Sequence, residues 1–139
     1  MPSERVAELL AGEGAGYALA AELNHYPGPA HALELADRLE LTDEQAVALR
    51  RIRSQVHARA RPLGRRIVDL ERRLDRAFRR TAATDAEVER LTAEIAALEG
   101  RLRFVHLAGH VETKKLLSRH QITRYDELRG YGADHGHAG

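Results

Sequence analysis

Apolar residues recur at three- and four-residue steps along most of the chain. In the longest run, Leu49, Ile52, Val56, Leu63, Ile67, Leu70, Leu74 and Phe78 fall on one stripe. Coiled-coil spacing of this kind predicts a long amphipathic helix. Thr42 opens it. Gln45 stands three residues on, so hydroxyl and amide can satisfy free backbone N–H groups reciprocally at the helix start. Pro62 lacks the N–H that would bond the Ala58 carbonyl, and Gly64 weakens the same turn, so a bend is expected at 58–64 with the stripe kept in phase. Residues 81–84 form a short connection. Thr84 or Asp85 caps a second long helix, whose stripe is Val88, Leu91, Ile95, Leu98, Leu102, Val105 and Gly109. So short a connection folds the two helices into an antiparallel hairpin. Ser118 and Gln121 repeat the capping arrangement and start a last helix, to about Leu128.

Before the hairpin, residues 3–23 read as one short helix capped by Ser3. Val6, Leu9 and Leu10 are its apolar face, and Gly12, Gly14 and Gly16 its weak middle. The run Asn24-His25-Tyr26-Pro27-Gly28-Pro29-Ala30 is a turn, and a short helix over about 31–39 follows. The last residues, rich in Gly, Asp and His, predict a disordered tail. The expected fold class is therefore all-α: a long antiparallel helical hairpin with short flanking helices. Its parts are an N-terminal segment over 1–30, a helical domain over 31–131 and a tail over 132–139. One hairpin leaves part of its stripes uncovered, so terminal helices or a second copy must cover them. A homodimer is expected.

Composition narrows the function. The 139 residues include no Cys and no Trp, and 31% are charged. A disulfide framework and thiolate metal ligation are excluded. No stretch approaches the ~18 apolar residues of a membrane span. Met1-Pro2-Ser3-Glu4 has neither the basic start nor the apolar stretch of a signal peptide, which leads to the expectation of either a cytosolic chain or one that starts after a leader. The net charge of +1 hides an asymmetry: residues 49–80 hold twelve Arg against Asp69, Glu71 and Asp75. Such a helix is either a basic surface for acidic partners or a solvated face paired with acidic neighbours. No aromatic residues interleave with the arginines as stacking platforms, which argues against nucleic acid. There is no Cys nucleophile and no phosphate-binding Gly loop; Gly12, Gly14 and Gly16 do not follow a strand. The expectation is a protein that is not an enzyme.

The capped helix starts carry a resemblance. Leu41-Thr42-Asp43-Glu44-Gln45 matches the Leu-Thr-x-x-Gln motif of the Spy/CpxP family, and Leu117-Ser118-Arg119-His120-Gln121 resembles a second copy with Ser for Thr. Two copies flanking a charged hairpin extend the resemblance over roughly 31–131. Ala20-Ala21-Glu22-Leu23-Asn24, Tyr26-Pro27-Gly28-Pro29 with His31, His106-x-x-x-His110 and Leu128-Arg129-Gly130-Tyr131 resemble its heavy-metal resistance and periplasmic metal-sensor branch. The resemblance implies a hooked four-helix architecture and a periplasmic location. It also implies frequent dimers and a role as chaperone, stress-response inhibitor, zinc-linked accessory protein or metal sensor.

Two sets of residues compete for the function. His106 and His110 stand one turn apart on a helix, so both imidazoles can reach one ion. A hairpin turning near 82–83 would set His57 opposite position 108, and the short helix over about 31–39, folded back over the hairpin's open end, would add His31 with Glu34. Imidazole and carboxylate suit Zn, Ni, Co or Cu(II). His25 is a weaker candidate, and Asp134, His135 and His137 form another group in the tail. The alternative needs no metal: Arg51, Arg59, Arg66 and Arg73 beside exposed apolar groups would hold unfolded clients. The sequence-level reading is a periplasmic metal-binding stress protein or sensor. Its alternative is an ATP-independent chaperone, and a membrane signalling partner is possible in either case.

Overall fold

Local sequence explains each element of the computed structural model, which describes residues 1–14 and 16–131. Six helical segments lie among them: α1 (Ser3–Ala11), α2 (Leu19–Glu22), α3 (Pro29–Glu34), α4 (Asp43–Arg79), α5 (Asp85–Leu116) and α6 (Arg119–Arg129). The described residues contain no strand. The expected all-α class with a long helix pair and short flanking helices is the one found. Both capping boxes form: Gln45 N–H donates to Thr42 Oγ1 at 3.1 Å and Thr42 N–H to Gln45 Oε1 at 3.0 Å, and Ser118 and Gln121 repeat this at 3.1 and 2.9 Å. Thr84 Oγ1 caps α5 by accepting from the Glu87 N–H. Pro62 lies inside α4, which is helical on both sides of it.

The short elements differ from the expected boundaries. Residues 3–23 are two helices, because Gly12 takes the left-handed conformation (φ 76°) and ends α1, its N–H turning back to the Leu9 carbonyl. Ser3 is inside α1 and Pro2 occupies the cap position without a side-chain bond. Pro29, whose fixed φ suits a first helical position, starts α3 two residues before His31. That helix ends at Glu34, and turns carry the chain to Glu40, itself at φ 53°. One stripe position is displaced: Ala77 is buried and Phe78 is 60% exposed.

The described chain divides into two compact units, residues 1–14 with 57–105 and residues 16–56 with 106–131. In the first, Leu70, Leu91 and Ile95 form a buried cluster joined by Leu74 and Leu98, as the two stripes require. Here α1 lies directly on α4. A β-carbon at Gly64 would stand 2.0 Å from the Leu9 carbonyl oxygen, Arg61 Nε donates to the Ala11 carbonyl, and Arg5 pairs with Glu99 at 3.2 Å. In the second unit, Ala32, Leu39, Leu49, Leu117 and Tyr125 are the core. The same unit holds both capping motifs.

Candidate functional site

In the second unit the two capping glutamines meet. Gln45 Nε2 donates to Gln121 Oε1 at 2.8 Å, and Gln121 Nε2 to Gln45 Oε1 at 2.9 Å. Each amide also donates to a carbonyl, Leu116 for Gln45 and Leu39 for Gln121. Each Oε1 also accepts the N–H of its own cap residue. Two donors and two acceptor positions per amide are thus all used. A carboxylate at either position would keep the cap but lose both donors and add charge. The geometry accounts for glutamine, and not glutamate, at the end of both motifs.

A second polar cluster centres on Glu22, which the α2 helix presents to the interior with 6% exposure. Its Oε1 accepts from the Tyr125 hydroxyl at 2.5 Å and from Arg129 Nε and the Tyr131 hydroxyl, each at 3.3 Å. Its Oε2 is buried without a hydrogen bond, 3.4 Å from His110 Nδ1. Burial and the Glu22 carboxylate push the Tyr125 phenol above its usual range, and the same two causes raise Tyr131. Burial lowers Arg129, but its bond to Tyr131 and the nearby negative charges outweigh that and leave it raised. Nearby, His25, at φ 69°, pairs through Nδ1 with Asp126 at 2.5 Å.

One face of α5 grips the N-terminal segment at one-turn intervals. His106, 5% exposed, stacks on Tyr17 with ring centroids 6.3 Å apart. His110 Nδ1 lies 2.8 Å from the Tyr26 carbonyl. A carbonyl only accepts, so this nitrogen carries the proton. Lys114 Nζ lies 3.9 Å above the Tyr26 ring. Gly28 is required beneath the His110 ring, where a β-carbon would stand 2.8 Å from Cε1.

The sequence-predicted ligands fall in both units. His106 and His110 share a face of α5 in the second unit. His31 is on α3 in the same unit and pairs with Glu34 at 3.1 Å. His57 belongs to the first unit. No three His, Asp or Glu side chains are gathered to hold an ion among the described residues. The donor set at Glu22 does not fit an ion in this arrangement. Its Oε1 is taken by three donors, and the imidazole edge facing Oε2 is the protonated Nδ1. Asp134, His135 and His137 lie outside the described residues.

The first unit carries an open groove of about 610 Å³. Pro62 and Leu63 of α4 and Ala97 of α5 line it, with Arg59 and Arg101 beside Phe104. Phe104 is 66% exposed. Of the other arginines chosen from sequence, Arg66 bonds Asp69 and Glu94, Arg73 bonds Asp69, and Arg51 is exposed on α4. Sequence reasoning missed Phe104 and the convergence on Glu22. The signal for Phe104 was present: it falls between the stripe positions Leu102 and Val105.

No helix among the described residues is long and apolar enough to cross a membrane. No curated protein and no solved structure matched the chain. The sequence matches the LTXXQ motif family over residues 30–129, the span that contains both capping boxes and the paired glutamines. This chain belongs to that family, the Spy/CpxP type.

Proposed function

We propose that this chain is a periplasmic stress-response protein that acts by binding, without catalysis, and holds unfolded clients weakly on the Arg59–Phe104 face. One observation carries this reading: an exposed Phe104 side chain lines an otherwise mostly apolar groove together with two arginines. Exposed apolar surface rimmed by charge suits segments that are both acidic and apolar. Contacts of this kind are individually weak, which suits capture and release without nucleotide. The test is suppression of aggregation of a chemically reduced client protein, followed by light scattering with chelator present. Phe104→Ser combined with Arg101→Gln is expected to lose most of the suppression while keeping the helical circular dichroism. Full suppression by the double variant overturns the reading.

A second reading, a metal-binding resistance or sensor role, is favoured by His106 and His110, which stand one turn apart on a single face of α5 in the second unit. His106 and His110 are the residues of the second unit that would hold Zn, Ni, Co or Cu(II); His57 and His31 are the remaining candidates. Calorimetry with each metal tests it. A defined stoichiometry abolished by His106→Ala with His110→Ala supports it, and binding that survives in that variant removes those ligands. Homodimerisation belongs to both readings and is tested by sedimentation equilibrium. A membrane signalling partner belongs to the sensor role.

A further inference from the structure

The last turns of α4 and the first turns of α5 form a depression of about 330 Å³ in the first unit, lined by Arg73, Arg76, Arg80, Arg90 and Glu87. Arg73, Arg76 and Arg80 follow at steps of three and four residues; Arg80 lies just past α4, and its N–H still bonds the Arg76 carbonyl, so the three continue one face. They span about 10 Å along the helix. Arg90 comes from the facing helix. Four arginines of this unit meet carboxylates: three are Arg66 with Asp69 and Glu94, Arg79 with Asp75, and Arg5 with Glu99. Arg73 reaches Asp69 at 3.3 Å. Among the described residues, Arg76, Arg80 and Arg90 have no ion pair, and Glu87 is the one carboxylate lining the depression.

Gathering like charges costs free energy unless something offsets it. The negative end of the α4 dipole favours Arg76 in the last turn and Arg80 just past it, but gives no reason for Arg90, near the first turns of α5. Guanidinium forks match the oxygens of a phosphate in pairs, and several around one hollow favour a multiply charged anion. We infer that this depression binds phosphate groups, carried either by a free polyphosphate or by the headgroups of an anionic lipid surface. Arg76, Arg80 and Arg90 make the direct contacts. Glu87 limits the site to ligands with more than one negative charge. The site is separate from the Arg59–Phe104 groove and stands or falls independently of it.

The full chain is titrated with tripolyphosphate by calorimetry. In parallel it is sedimented with phosphatidylglycerol-containing vesicles and with pure phosphatidylcholine vesicles. The Arg76→Gln, Arg80→Gln, Arg90→Gln variant is expected to weaken binding at least about tenfold. A charge-matched Arg65→Gln, Arg72→Gln, Arg103→Gln variant, altered outside the depression, is expected to stay close to the wild type. Side-chain Nε–Hε resonances of Arg76, Arg80 and Arg90 in the unmodified protein should shift on adding the ligand, a readout that requires no variant to fold. Binding of tripolyphosphate alone assigns a free polyphosphate, and binding of anionic vesicles alone assigns a lipid surface. Binding to neither, equal loss in both triple variants, or unmoved arginine resonances overturns the site.

Discussion

Leu9 and Gly64 touch through their backbones: a β-carbon at position 64 would stand 2.0 Å from the Leu9 carbonyl oxygen and 2.7 Å from its carbon. The glycine that weakens the middle of α4 is also the slot on which α1 rests. Leu9, at 1% exposure, is held there.

Gly64→Ala is therefore expected to destabilise the chain. Alanine favours a helix interior by about 1 kcal/mol over glycine, but overpacking against backbone costs about 1–3 kcal/mol, and the backbone at Leu9 must move. Gly100→Ala is the control, since a β-carbon there meets nothing within 4 Å; it should stabilise by roughly 0.5–1 kcal/mol. Urea unfolding of both variants checks the opposite signs. Earlier proteolysis between Gly12 and Gly16 in Gly64→Ala would show α1 leaving its place.

Gln121→Glu should disrupt the paired amides. The cap bond to Ser118 survives, but the bonds to Leu39 and to Gln45 lose their donor. Leaving buried groups unsatisfied costs about 1–3 kcal/mol, more where a charge is introduced. Adding Gln45→Glu should cost further through two facing carboxylates. The double variant should recover part of that loss at acidic pH, measured as the shift of the urea midpoint between acidic and neutral buffer.

Tyr125→Phe removes the shortest bond to Glu22 and the acceptor for the Gly28 N–H, at an expected cost of about 1–3 kcal/mol. The raised phenol sets a sign for pH. The folded chain keeps this proton above pH ~10, where an unfolded tyrosine loses it. Its contribution is fully present below about pH 10 and falls as pH rises further, by up to about 1.4 kcal/mol per pH unit. Alkaline unfolding should therefore be shallower by one proton in Tyr125→Phe, with Tyr131 supplying part of what remains.

Thr81 ends α4 at φ 55°. The Ala82 N–H reaches the Ala77 carbonyl and the Thr81 N–H reaches Phe78, an arrangement that glycine normally completes. A β-branched residue is strained there, and the left-handed conformation costs an L-residue roughly 1–2 kcal/mol. Thr81→Gly should raise stability by up to about 1 kcal/mol, since glycine's greater freedom in the unfolded chain cancels part of the relief. Thermal melting measures it, and a lower melting temperature would contradict the assignment of strain.

Helix identity, the helix pair and both capping boxes were legible in the sequence because each rests on short-range rules: a 3.6-residue period, a three-residue cap spacing, a connection too short for anything but a reversal. The same rules misplaced Phe78, since periodicity locates a stripe but not its last member where the chain begins to turn. Partners far apart in sequence were decided only by tertiary packing. Gln45 meets Gln121, and Glu22 collects Tyr125, Arg129 and Tyr131, over separations that local periodicity does not encode. His106 and His110 show the division most clearly. Their spacing puts both rings on one face of a helix, but Tyr17 and the Tyr26 carbonyl, brought up by the folded N-terminal segment, determine what those rings touch.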